Sequence, residues 1–371
     1  MSNAALRLAK HQPAVEPCAP FVEAVELSLP SHRYDQQELI GVLQARWRDR
    51  PQVVARIASL HEAVEVRSRC LALPIEAYAH LDSFDEANDA FIRVGTELGA
   101  RAIDRALERA KLHPEDVDAI VFTTVTGVAA PTIDARIMNR LRLRRDVRRL
   151  PLFGLGCVGG AAGLARVTDY LRGHPDHVAL LLSVELCSLT LQDDLSIPNL
   201  IASGLFGDGA ACAVLVGSER RAAIRGVRGA PRIVDSRSAF FRDSERVMGW
   251  DIGARGFKIV LSADVPRIVH EQLPSEVDAF LAEHDLVRDD VRRWICHPGG
   301  PKVIAAIEQA LDLDRDALAL TRRSLAEVGN LSSASVLDVL HRTLPCAREG
   351  EVGVLLAMGP GFCAELVLMS W

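Results

Sequence analysis

The stretch Asp116-Val117-Asp118-Ala119-Ile120-Val121-Phe122-Thr123 is echoed in pattern by Asp290-Val291-Arg292-Arg293-Trp294-Ile295-Cys296-His297. Each follows an amphipathic helical pattern and precedes another. Short apolar runs bounded in this way are the buried strands of an α/β protein. Strand patterns at 118–124, 178–185 and 209–217, with helical ones at 90–110 and 132–141, continue the alternation through the first half. The second half closes on similar runs at 353–356 and 364–369. The chain is therefore expected to be α/β and built from two similar halves, 1–222 and 223–371. They would meet in a Gly/Arg/Ser-rich stretch near 217–235.

Charge and composition exclude several classes. A net charge of −6 leaves no basic excess to neutralise phosphates, so nucleic acid is not an expected partner. The densest basic run, 140–149, is broken by Leu141, Leu143 and Val147 and reads as a solvated face around a helix end. The best apolar run, 178–184, is far shorter than a membrane span and contains Ser183. Residues 1–13 have no apolar core of signal-peptide length. The eight cysteines are scattered with no CxxC spacing, which points to neither a metal site nor a disulfide framework. A reduced, cytoplasmic protein is the expectation.

Three polar residues stand out for chemistry. Cys157 lies in Gly154-Leu155-Gly156-Cys157-Val158-Gly159-Gly160, with a helical pattern over 160–171 behind it. A thiol at a helix N-terminus is nearer its thiolate form; equally, a small thiol packs well at a strand-to-helix turn. His297 ends a strand pattern before Pro298-Gly299-Gly300, where open α/β sheets place ligands, although it can also merely cap the strand. Asn330, in Glu327-Val328-Gly329-Asn330-Leu331-Ser332-Ser333, precedes a helical pattern and is also a good N-cap. Together they form a Cys/His/Asn set. An imidazolium would hold a thiolate, and with a carboxamide it would give two donors to one enolate or tetrahedral oxyanion.

In these segments the chain resembles the chalcone synthase superfamily, the type III polyketide synthases. The resemblance rests on Gly156-Cys157-Val158-Gly159-Gly160, Leu205-Phe206-Gly207-Asp208-Gly209-Ala210-Ala211, His297-Pro298-Gly299-Gly300-Pro301, Gly329-Asn330-Leu331-Ser332-Ser333 and Met358-Gly359-Pro360-Gly361. It implies a thiolase-like fold of five αβαβα layers and a homodimer. The implied reaction is iterative decarboxylative condensation of malonyl-CoA, or methylmalonyl-CoA, onto an acyl-CoA starter. By motif, Cys157 would carry the growing chain, while His297 and Asn330 would polarise the malonyl thioester. Phe206 matches a gatekeeper between the CoA tunnel and the cavity. Thr190, Ser332, Thr126, Gly359 and Pro360 match cavity or scaffolding positions. Lys302, Arg67 and Arg69 are candidates for CoA phosphates, with ordinary surface charge as the alternative.

Departures from the plant pattern bear on substrate. Trp250 falls where plant enzymes have a small cavity residue, or else packs in the core. Ile259 replaces a phenylalanine, and Ala357-Met358 replaces Gly-Phe. Aliphatic and small residues in aromatic positions suggest a fatty acyl starter and an alkylpyrone or resorcinol-type product. No metal or redox cofactor is expected, since loss of CO₂ generates the enolate. Three other classes compete. Gly154-x-Gly156-x-x-Gly159 with Glu185 mimics the fingerprint of an NAD-dependent dehydrogenase, but Pro151 precedes it and it sits mid-chain. An initiating β-ketoacyl-ACP synthase uses the same three residue types. A papain-like hydrolase shares the chain order but places its cysteine near the N-terminus.

Overall fold

The structure, a computed structural model, describes residues 18–224 and 226–371. In chain order its strands begin with β1 Phe21–Ser28, β2 His32–Asp35, β3 Ser68–Leu71, β4 Ala119–Thr124, β5 Arg148–Phe153 and β6 Val178–Leu186. They continue with β7 Asp208–Val216, β8 Arg232–Phe240, β9 Met248–Gly253, β10 Gly256–Leu261, β11 Val291–Cys296, β12 Val352–Gly359 and β13 Cys363–Ser370. Nine run side by side in the order β11-β12-β13-β8-β1-β7-β6-β4-β5, while β9–β10 and β2–β3 form two small ribbons.

The echo in the sequence is a duplication of topology. In the first half β4 is parallel to β6, β6 antiparallel to β7, and β7 antiparallel to β1. In the second, β11 is parallel to β12, β12 antiparallel to β13, and β13 antiparallel to β8. The two sheets touch where Phe21 of β1 pairs Arg232 of β8. Strand β7 ends at Val216 and β8 starts at Arg232, so the expected border at 222/223 falls inside the linking helix Ser218–Ile224.

Period-two alternation then builds the layers, because successive strand residues face opposite sides. Leu180, Leu182 and Val184 of β6 pack outward with helices Phe84–Ala110 and Ile133–Leu141. Ala179 and Leu181 turn inward to a central cluster that also receives Leu355 and Ala357 of β12. The opposite face of β12, through Val354, Leu356 and Met358, meets helices Val265–Ala282 and Pro301–Leu311. Helices Gly159–Gly173 and Ser335–Thr343 fill the central layer, contributing Leu164, Val167, Val336 and Leu340. Helix, sheet, helix, sheet, helix: the five-layer thiolase-like order holds.

Two local details explain where the sequence patterns end. Helix Phe84–Ala110 starts earlier than its apolar stripe because Ser83 and Glu86 form a capping box, and Lys111 ends it in the left-handed region at φ 57°. β5 is the outermost strand and mostly exposed, which is why it tolerates Pro151. No helix among the described residues is long and apolar enough to cross a membrane.

Candidate active site

Cys157 sits in a 3₁₀ turn, Gly156–Val158, between β5 and helix Gly159–Gly173. Gly156 has φ +52°, and a Cβ there would lie 2.8 Å from Pro360 Cδ, so the turn needs glycine. The second half repeats the device: a 3₁₀ turn, Ser332–Ala334, opens helix Ser335–Thr343, and Ser332 has φ +48°. The two turns meet, with Cys157 Sγ 4.0 Å from Ser332 Oγ. A Cβ at Gly160 would lie 2.3 Å from the Ser333 carbonyl oxygen. The small residues after Cys157 thus let the two turns approach one another.

His297 follows directly on β11. Its main-chain N–H donates to Leu356 O at 2.8 Å, which fixes it to β12. Neither ring nitrogen has a partner among the described residues, although the side chain is buried. Asn330 is tied by its main chain to Leu205 O (2.9 Å) and to the Gly207 N–H (3.0 Å). Its Oδ1 accepts from the Ser332 N–H at 2.8 Å and the Ser335 hydroxyl at 3.4 Å. That side-chain cap orients the amide so that Nδ2 is its donor side, acting on the Cys157 sulfur, and the capping and functional readings of Asn330 coexist.

Cys157, His297 and Asn330 line one cavity of about 50 Å³. Phe206, Trp250, Ile259, Ser332 and Pro360 complete its wall, so the indole of Trp250 faces the cavity rather than the core. Phe206 and Trp250 stand 6.4 Å apart, centroid to centroid, and also line a second cavity of about 350 Å³. Burial pushes the Cys157 thiol up to about 12, an effect reduced by Ser332 and Asn330 and reinforced by the nearby charge of Glu185. Burial also draws the His297 imidazole down to about 3. Both effects favour the neutral pair, against the pull of the helix N-terminus.

Several expected positions fall elsewhere. Thr190 lines the second cavity, where its hydroxyl donates to Cys187 O at 2.7 Å. Thr126 does not face the catalytic cavity: it is buried, donates to Glu185 at 2.8 Å, and accepts from the Leu186 N–H. Gly359 packs against main chain, where a Cβ would lie 2.6 Å from Val158 N, so its part is to scaffold Pro360. Arg69 is buried, 4 % exposed, in the wall of the second cavity, and donates to Phe206 O and Ser203 O. Arg67 is exposed, 3.9 Å from Glu327. Lys302 lines a separate open groove with Arg267 and His270.

Glu185 enters the sequence reading only through a dehydrogenase-like fingerprint, yet it underlies the site. It accepts from Thr126, Val125 N–H (3.1 Å), Thr124 (3.3 Å) and Ser333 (2.5 Å), and burial raises it to about 7. A lone acid inside the apolar run of β6 is the signal that could have found it.

Residues 81–230 match the family described as FAE1/type III polyketide synthase-like protein, and 232–370 match the C-terminal domain of chalcone and stilbene synthases. The chain is 52% identical to a 1,3,6,8-tetrahydroxynaphthalene synthase of Streptomyces peucetius subsp. caesius, over 94% of this chain and 93% of that one. The chain belongs to the type III polyketide synthases. This type III polyketide synthase is also 36% identical to a putative chalcone synthase of Bacillus subtilis, covering 95% of this chain and 98% of the relative. Among solved structures, 1,3,6,8-tetrahydroxynaphthalene synthase of Streptomyces coelicolor superposes with a TM-score of 0.87 at 30% identity. It covers 95% of this chain and 99% of its own. The enzyme is therefore a condensing acyltransferase that forms carbon–carbon bonds.

Proposed function

We propose that this synthase takes malonyl-CoA as both starter and extender and closes the chain to a polyhydroxylated bicyclic aromatic. The observation that carries the catalytic part is the partnerless imidazole of His297, buried in one cavity with Cys157 and Asn330. A starter acyl group passes from CoA to Cys157 Sγ. The thioester carbonyl of the next malonyl-CoA then accepts hydrogen bonds from His297 and Asn330 Nδ2, which stabilise the enolate as CO₂ leaves. The enolate carbon attacks the Cys157 thioester and the lengthened chain departs on CoA. Loss of one such donor typically costs about 2.7–4 kcal/mol in the transition state. This chemistry calls for no metal or redox cofactor.

The product class is supported by the relative at 52% identity. In its named product, ring carbons bear oxygen at alternate positions, as expected when malonyl units supply all the carbon. A chain of that length does not fit a space of about 50 Å³, which holds about two waters. It would extend past Phe206 and Trp250 into the larger cavity. That larger cavity also favours a second reading, a fatty acyl starter giving an alkylpyrone or resorcinol, because its wall is largely apolar. Incubation with malonyl-CoA alone, followed by mass spectrometry, separates the two. A bicyclic aromatic supports the first; no product until a long acyl-CoA is added refutes it. Cys157→Ala should abolish both while leaving the circular dichroism spectrum intact.

A homodimer goes with this reading, supported by edge strand β5, whose Leu150 and Phe153 are half exposed. Sedimentation of the purified chain tests it. Work through a free thiol also requires a reducing compartment, which favours the cytoplasm.

A further inference from the structure

We propose that the cavity of about 350 Å³ behind Phe206 and Trp250 binds the carboxylate-bearing far end of the acyl chain, with Arg69 as the recognising residue. The proposal rests on the malonyl-only reading above. Arg69 extends from β3 into the wall of that cavity and is 4 % exposed. Its two terminal nitrogens donate to neutral acceptors, Phe206 O at 2.7 Å and Ser203 O. Its Nε has no partner, and it forms no ion pair among the described residues. Asp208, whose charge acts on Arg69, already accepts from the Ala72 N–H (2.6 Å), the Ser188 N–H (2.8 Å) and the Ser188 hydroxyl. Burial lowers the guanidinium only to about 10, so it remains a cation at neutral pH.

A desolvated cation in a wall that also carries Leu39, Leu43, Leu71 and Ile75, where the second guanidinium, Arg46, is already paired with Asp193, suits an anion that arrives attached to an apolar chain. A malonyl starter supplies one. When malonyl passes from CoA to Cys157, its C–S bond to CoA breaks and one to Sγ forms. The thiol proton goes to the CoA sulfur, and the distal carboxylate is untouched. Each extension then adds carbon at the thioester end, so the carboxylate stays at the far tip. Phe206 and Trp250 line both cavities, and the tip must pass them to reach Arg69, which holds Phe206 by its carbonyl. The competing account is that Arg69 only caps the C-terminus of helix Ile197–Leu205 through those same carbonyls. Capping alone makes no distinction between starters.

The test uses matched starters offered with malonyl-CoA: succinyl-CoA against 4-methylpentanoyl-CoA, and glutaryl-CoA against 5-methylhexanoyl-CoA. Each pair exchanges a carboxylate for an isosteric branched end. The readout is the ratio of kcat/KM for the first condensation, followed by mass spectrometry. For the unaltered enzyme we expect the carboxylate member to lead by about tenfold or more. In Arg69→Met the ratio should fall to 1 or below, and Arg69→Lys should restore part of it. A ratio of 1 or less in the unaltered enzyme, which requires no variant to fold, overturns the proposal. So does an Arg69→Met enzyme that slows both members equally. An enzyme that prefers carboxylate starters but makes no bicyclic aromatic from malonyl-CoA alone sinks the product reading and keeps the site.

Discussion

Removing the imidazole should leave unchanged the pH at which Cys157 of the free enzyme becomes reactive. Burial alone pushes the thiol to about 12 and the imidazole down to about 3, so an isolated thiolate and an isolated imidazolium are both disfavoured. Formed together by proton transfer, they attract. At a contact separation of about 4 Å and an effective dielectric near 20, that attraction is about 4 kcal/mol, or roughly 3 pH units. His297 has both ring nitrogens free for this, whereas Asn330 and Ser332 act on the sulfur only as hydrogen-bond donors. Iodoacetamide inactivation of unaltered enzyme and His297→Gln, followed from pH 5 to 11, measures the difference. Peptide mapping keeps the signal to Cys157, since Cys187, Cys212 and Cys296 are also buried thiols. That attraction closes only about 3 of the roughly 9 units between 12 and 3, so the neutral pair persists and the two profiles should coincide, rising only toward pH 11. An inflection near neutral pH in the unaltered enzyme that moves up in His297→Gln would show that the imidazole does ionise the thiol, and the burial reasoning would fall.

Glu185 gives a pH-dependent stability with a definite sign. Burial raises it from 4.5 to about 7, so it adds stability that is full below 4.5 and lost as pH rises through 7. Glu185→Gln should flatten that loss by up to about 3 kcal/mol in urea titrations between pH 4.5 and 8; an unchanged slope rules the account out. Gly160→Ala drives a Cβ to 2.3 Å from the Ser333 carbonyl and should cost about 1–3 kcal/mol together with activity. Gly163→Ala meets the end of the Leu181 side chain at 2.4 Å, which can turn aside, so its cost should be smaller in the same urea assay. Trp250→Ala merges the two cavities; product profiles over a starter series should shift to longer chains, with a stability loss of about 2 kcal/mol for a half-buried indole.

The strands were legible because β6, β7, β12 and β13 are short apolar runs between helical patterns, whereas the five-layer order came from the resemblance, since burial on both faces hides from the sequence which face meets which layer. The Cys157, His297 and Asn330 positions were legible because each sits at the end of a strand or the start of a helix, where the pattern changes. Arg69 was not. It lies two residues from Arg67, and nothing local separates them. However, β3 begins at Ser68, so Arg67 stays at the surface while Arg69 is drawn under helix Ile197–Leu205 by the carbonyls of Ser203 and Phe206. Thr126 misled for a similar reason. Its hydroxyl is taken by a carboxylate that arrives from β6, a partner distant in sequence.

The duplication also sets the Cys157 turn beside a counterpart in the second half that is built differently. Cys157 and Ser333 occupy equivalent places, each one residue after a left-handed backbone position and two before a central-layer helix. The Ser333 hydroxyl is engaged by Glu185 at 2.5 Å and Ser183 at 2.6 Å, both on β6 of the opposite half. Held in that way it is fully satisfied and faces away from the cavity chemistry. Cys157 has no comparable partner: its nearest hydroxyl is 4.0 Å away, and the space before it is bounded by His297 and Asn330. One copy of the turn is a brace and the other leaves its side chain facing a cavity. Because the brace, the imidazole and the amide come from the second half and the thiol from the first, the cavity exists only where the two halves close on each other.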